Sequence, residues 1–163
     1  MFSRALSVSL LALLPAAAFA ADPVMVKSVD VMIELEALTN AEAATRFANV
    51  EIDLENAIAA RLIDRIDPED GVEVTIDIAE LELSNSFTET FNFADTRLLA
   101  NVKVKGTAEN PVSTNYDLIV DVNSSMPYFP EGTVVETLPV DSDVYYQTLI
   151  TAFADSVVRK LDE

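Results

Sequence analysis

Carboxylates are the reactive groups this chain holds in quantity, with 28 Asp and Glu against 10 Lys and Arg and neither histidine nor cysteine. Acids do two kinds of work: they ligate hard cations such as calcium, or they act in pairs as acid and base in hydrolysis. The densest cluster is Asp67-Pro68-Glu69-Asp70-Gly71. Aligned as a calcium loop on Gly71, it puts Ile66 and Pro68 where oxygen ligands belong and Asp77 where a glutamate belongs, so it fails at three places. It reads instead as a turn, with proline presetting φ and glycine available for a positive φ. No spacing singles out one pair of acids from the rest, so a carboxylate-dependent envelope hydrolase is the weaker alternative. A calcium-stabilised acidic module is another.

The missing residue types exclude more. Without histidine or cysteine there is no Ser-His-Asp triad, no thiol nucleophile and no ordinary zinc site. The three glycines, Gly71, Gly106 and Gly132, lie too far apart to build a phosphate loop. The expectation is a non-enzyme with no cofactor and no catalytic or metal residues.

Binding is the remaining chemistry, and aromatic residues in irregular segments are its candidates. Phe87, Phe91 and Phe93 fall within a linker over residues 84–96, and Tyr128 and Phe129 fall in the long segment 123–142. In one reading these rings form an exposed patch for a protein or acyl partner. In the other the linker rings close the open end of the core, which is the preferred reading because aromatic rings usually bury. Asn123-Ser124-Ser125 matches a glycosylation sequon and is discounted beside an export signal of bacterial type.

That signal is residues 1–20, MFSRALSVSLLALLPAAAFA. Arg4 precedes an apolar run from Ala5 to Leu14, Pro15 breaks it, and Ala18-Phe19-Ala20 offers small residues at the −3 and −1 cleavage positions. The run is too short to span a bilayer. The expected mature chain is residues 21–163, a single periplasmic or secreted domain with no stable membrane insertion. Arg4 leaves with the leader, so nine cations face 28 acids and the mature net charge is −19. A chain this acidic repels nucleic acid and anionic headgroups, which leaves cationic proteins, cationic peptides and calcium as the better partners, while the preferred reading of the charge itself is solubility in a salty exterior.

The elements that must position these residues follow from periodicity. Val29, Val31, Ile33 and Leu35 alternate with Asp30, Met32, Glu34 and Glu36, a half-buried strand. Thr39-Asn40-Ala41-Glu42 has capping-box spacing and opens a helix whose stripe is Phe47, Val50, Leu54, Ile58, Leu62 and finally Ile66. Residues 50–54 also alternate like a strand, and the stripe on both sides decides for helix. Arg61 and Arg65 suit its carboxyl end.

A second strand places Val72, Val74, Ile76 and Ile78 on one face. The apolar parity then flips after Ala79-Glu80 to Leu81 and Leu83, which requires a bulge or a bend. A third strand sets Leu98, Ala100, Val102 and Val104 against Asn101, Lys103 and Lys105. The fourth sets Tyr116, Leu118, Val120 and Val122 against Asn115, Asp117, Ile119 and Asp121. Lysines on strand three suit acids on both neighbours, which places it between strands two and four. A last helix, capped by Asp141 or Ser142, repeats Tyr145, Leu149, Phe153, Val157 and Leu161.

The order β-α-β-β-β-α, with every element one-faced, predicts an α+β two-layer sandwich. It is a four-stranded, mainly antiparallel sheet with both helices on one face, the first helix a crossover between parallel strands. The Ala21-Asp22-Pro23 start and the terminal YYQTLITAFADSVVRKL helix resemble small, uncharacterised exported proteins of proteobacteria. The element order is similar to periplasmic α/β domains of envelope machinery, such as the amino-terminal domain of the Tol translocation protein and the auxiliary lipoproteins of ABC transport systems. The resemblance implies an envelope location and an accessory role. It carries across no functional residue, and the lipidated cysteine of the lipoproteins has no counterpart here. The expectation is a non-catalytic binding or accessory protein of the cell envelope, with an envelope protein or a cationic partner.

Overall fold

A computed structural model describes residues 23–33, 48–82, 97–109, 111–138 and 142–163. The expected capping box at 39–42, Phe47, and the linker with Phe87, Phe91 and Phe93 lie outside the described residues. The elements are β1 (Val26–Ile33), α1 (Val50–Arg61), β2 (Val72–Glu82), β3 (Arg97–Lys105), β4 (Thr114–Asp121), α2 (Val122–Ser125) and α3 (Asp143–Leu161). The strands lie in the order β1-β2-β3-β4, with β1 and β2 parallel and the other pairs antiparallel. The predicted α+β architecture is present.

One core joins the inner face of the sheet to the stripes of α1 and α3. Val31, Val74, Ile76, Ile78, Leu98, Ala100, Val102, Val104 and Val120 meet Val50, Leu54, Ile58 and Leu62 from the first helix. Leu149, Phe153, Val157 and Leu161 close it from the last. Residues 50–54 are helical, as the flanking stripe required. At its carboxyl end the helix is shorter than its pattern implied. It opens at Val50 after a turn at 48–49 and stops at Arg61, and a 3-10 turn covers Ile63–Arg65. Ile66, expected at the end of the stripe, is instead extended, 44% exposed and bridged to Val26. The next residues account for this, since Asp67 precedes Pro68 and is barred from helical backbone.

Two bulges tune the sheet. In β2, Ile78 pairs with Ala100 and Glu80 with Leu99, so Ala79 is the extra residue that the parity flip demanded. In β1, Val26 pairs with Val72 and Ser28 with Glu73, so Lys27 is extra. That second bulge had no clear sequence signal. It lets Val26 and Val29, three residues apart, both pack toward the core.

Gly71 serves a different purpose from the one its turn suggested. The glycine with positive φ among the described residues is Gly132, at 84°. At Gly71 a Cβ would stand 2.5 Å from the Lys27 nitrogen and the Val26 carbonyl carbon and 2.6 Å from the Asp67 oxygen. The glycine is needed for close backbone approach. Asp67 N–H donates to the Val26 oxygen at 2.9 Å, and Val72 N–H donates to the Met25 oxygen at 2.9 Å.

The free edge of β1 is covered by side chains of α1. Ile33 N–H donates to Glu51 Oε1 at 2.8 Å, and Val31 N–H donates to Glu55 Oε1 at 3.1 Å. The geometry matches because four helical residues rise about 6 Å and two strand residues about 6.6 Å. Replacing Glu51 and Glu55 by Ala is expected to cost about 1.5 kcal/mol for each lost charge-assisted bond. Amide exchange at Val31 and Ile33 should quicken, and Gln at either position should restore most of the protection. Hydrogen exchange followed by NMR checks this.

Polar contacts fix α1 beside α3 in the same direction. Tyr146 OH donates to Asp53 Oδ2 at 2.5 Å, and Arg61 pairs with Asp155 while donating to the Ala57 oxygen. Arg65 pairs with Asp162 and donates twice to the Val24 oxygen, at 3.0 and 2.8 Å. The two arginines thus tie α1 and the adjoining 3-10 turn to neighbouring elements, a role more specific than matching a helix dipole. At α3 the Ser142 side chain accepts from Tyr145 N–H, choosing Ser142 over Asp141 as the cap.

Candidate functional site

With α1 and α3 on one side, the opposite face of the sheet carries no helical layer among the described residues. Strand register arranges it in rows. Ser28, Glu73 and Lys105 form one; Asp30, Thr75, Lys103 and Asn115 the next; Met32, Asp77, Asn101 and Asp117 the third. Leu99 then stands opposite Ile119, which is 56% exposed although its strand face is otherwise polar.

The predicted position of β3 between β2 and β4 holds, and its lysines differ in what they do. Glu73 accepts from Lys105 at 3.2 Å and from Lys27 at 3.3 Å. Asn101 donates to Asp117 Oδ1 at 2.8 Å. Lys103 makes no ion pair among the described residues. Lys103, Val104, Lys105, Ser113, Thr114 and Asn115 line a shallow groove of about 340 Å³ at the start of β4. Among the described residues no carboxylate lines that groove.

Lys105, and after it Lys27, hold the Glu73 carboxyl below its ordinary value through hydrogen bonds and charge. Because the folded value is depressed, this contribution is present above the unfolded pKa and is lost as pH falls through the folded one. Replacing Lys105 by Ala should move the Glu73 titration upward toward ordinary glutamate, measured by carboxyl carbon shifts against pH. An unmoved midpoint would show that the ion pair does not persist in solution.

The acidic turn uses its own oxygens. Asp67 Oδ1 accepts from Glu69 N–H at 3.0 Å and from Asp70 N–H at 3.1 Å, which braces the turn. Among the described residues there is no grouping of three or more acids placed to hold a metal ion.

The second aromatic segment does not stay an irregular loop. β4 ends at Asp121, whose carboxylate accepts from Ser124 N–H at 2.7 Å while Asp121 N–H donates to Ser124 Oγ at 2.9 Å. This capping box starts α2 and takes Val122, expected as the last inward strand residue, into a helical turn. Turns at Met126–Tyr128 and Val135–Thr137 follow. Tyr128 packs against the main core. Phe129 packs against the satellite cluster of Val122, Val135 and Tyr145, its ring 6.2 Å from that of Tyr145. Both rings are half-buried. They anchor the segment and leave only their edges for contact, with Met126 and Val134 exposed nearby in the chain.

The residues that the strand pattern did not single out are the backbone donors of β4 and the apolar pair Leu99–Ile119. The available signal was an isoleucine on a polar strand face. On the inner side of β4, Tyr116 is half-buried with its hydroxyl inaccessible and without a hydrogen-bond partner among the described residues. Burial, then the negative charge of Glu163, pushes its pKa up to about 12.

No protein-family model matches the chain, and no curated protein sequence matches it.

Proposed function

We propose that this is an exported, non-catalytic binding or accessory protein of the cell envelope, acting through the open face of its sheet. One observation carries the reading: the outer face of a four-stranded sheet is left to solvent, with Leu99 and Ile119 set among graded charge. An antiparallel sheet tolerates one solvated face. Apolar residues on such a face suit a contact surface better than a solubilising one. The leader-like residues 1–20 and the resemblance to envelope α/β domains support export, and the acidity supports a cationic partner.

The test uses the mature chain, residues 21–163. Fractionation should place it in the periplasm or medium, with Ala21 as the first residue on amino-terminal sequencing. Immobilised and exposed to envelope extract, it should retain a discrete partner saturably, with free chain competing, and Ile119→Glu should weaken that retention. Retention that free chain does not compete would overturn the reading. So would hydrolytic turnover that depends on a particular pair of acids.

A further inference from the structure

The two edges of the sheet are treated differently, and the difference is informative. β1 has two of its outward amides, those of Val31 and Ile33, occupied by Glu55 and Glu51. β4 is the other edge. Asp121 N–H donates to Ser124 Oγ, so it turns away from β3. Strand alternation then turns the N–H groups of Asn115, Asp117 and Ile119 the same way. Among the described residues no side chain caps these three donors. An uncapped ladder of donors and acceptors is a template for another strand, and natural proteins generally blunt it.

From this asymmetry we infer that β4 is a strand-addition site for an extended, cationic segment of a partner protein, running antiparallel to β4. The inference rests on the binding-protein reading above and names its site and partner class. Side chains along the edge say what such a strand would carry. Asp117 and Asp121 lie on the outer face toward the end of β4, and Lys103 and Lys105 flank the groove at its start. A strand antiparallel to β4 passes the two acids first and the two lysines last. It would therefore hold Lys or Arg on its outer face early and end near the groove in a carboxylate. Its inner face meets Tyr116 and Leu118, both half-buried, which suits valine or isoleucine. A second copy of this chain is the poorer occupant, because each mature copy carries a formal −19 and would bring Asp117 and Asp121 of its own to the pairing.

The experiment titrates the mature chain, residues 21–163, with a synthetic decapeptide alternating Lys and Val and ending in a free Glu carboxylate, observed by amide NMR. The Asn115, Asp117 and Ile119 amides should shift, and their hydrogen exchange should slow by about tenfold or more. The same peptide N-methylated at alternate residues cannot form the ladder and should leave those amides unmoved. Asp117→Lys should weaken binding about two- to fivefold, the size of one cross-strand ion pair. Ile119→Pro removes a donor at an edge position where proline is tolerated, and should abolish binding with the fold intact by circular dichroism. Shifts confined to β1 or to the Tyr128–Phe129 turn would overturn the proposal, as would equal binding of the N-methylated peptide. The same β4 amides moving with protein concentration alone would replace the partner strand by a second copy. If the peptide fails while wild-type and Ile119→Pro chains retain the same envelope partner, the edge assignment falls and the binding-protein reading stands. If nothing is retained either, both fall.

Discussion

Phe153→Ala is expected to destabilise the protein by about 3–5 kcal/mol, the range for truncating a fully buried aromatic side chain. Phe153 is completely inaccessible and is among the largest fully buried side chains of the core. It sits mid-way along α3, the helix that packs on α1 and on the β3–β4 half of the sheet. Removing the ring loses its transfer free energy and leaves a cavity that two rigid layers cannot fully close. Domains of this size are stable by only about 5–15 kcal/mol, so the loss is a large share of the total. Urea unfolding should show a lower midpoint with little change in slope. A loss below about 1 kcal/mol would mean that α3 does not sit where the core requires it.

The second large effect is expected at Gly71. Alanine there drives a Cβ into three backbone atoms, at 2.5, 2.5 and 2.6 Å. None of these is the end of a flexible side chain, so the start of β2 must move away from β1. Overpacking of this kind costs about 1–3 kcal/mol and occasionally more, and Gly71→Ala belongs at or above the upper end. Gly132 provides the control. Its φ is +84°, and a Cβ added there would meet nothing within 4 Å, so Gly132→Ala should cost about 1–2 kcal/mol from backbone conformation alone. Asparagine separates the two causes, because it tolerates positive φ. Asn should recover much of the loss at 132 and none at 71. Comparing the four melting curves checks it, and recovery by Asn at 71 would show that conformation, not crowding, is the reason for that glycine.

These two effects differ in how far the sequence foretells them. Phe153 is legible as a core residue because Tyr145, Leu149, Phe153, Val157 and Leu161 recur every four residues, and such a stripe has one way to be buried. The bulge at Ala79 is legible for the same reason, since a flip of parity within a strand has no other cheap solution. β3 between β2 and β4 is foretold by charge only in part, since Lys105 does meet Glu73 but Lys103 stands between Thr75 and Asn115, and the acids Asp77 and Asp117 flank Asn101. Periodicity and charge pairing are local or nearest-neighbour properties, and the chain carries them in its residue order.

Gly71 reads as a turn glycine because its neighbours in sequence mark a turn, whereas the constraint comes from Val26 and Lys27, more than forty positions away. Glu51 and Glu55 look like ordinary exposed acids of a helix. Only the crossing of α1 over β1 turns them into caps for Val31 and Ile33. The contact between Arg65 and the Val24 carbonyl is of the same kind. Among the aromatic candidates, Tyr128 and Phe129 are half-buried anchors, because the Asp121–Ser124 capping box ends β4 and folds the following residues back over Val135 and Tyr145.

The sequence by itself therefore determined which faces bury, where the strands and the last helix lie, and that the chain is strongly acidic without thiol or imidazole chemistry. The tertiary structure decided which backbone groups meet. It covered the outward amides of Val31 and Ile33 in β1, left those of Asn115, Asp117 and Ile119 in β4 without a side-chain cap among the described residues, and made Gly71 a point of contact. Side-chain periodicity records burial, but every residue other than proline carries the same backbone donor and acceptor. Which of them stay unpaired depends on the order of strands in space and is written in no single stretch of the chain.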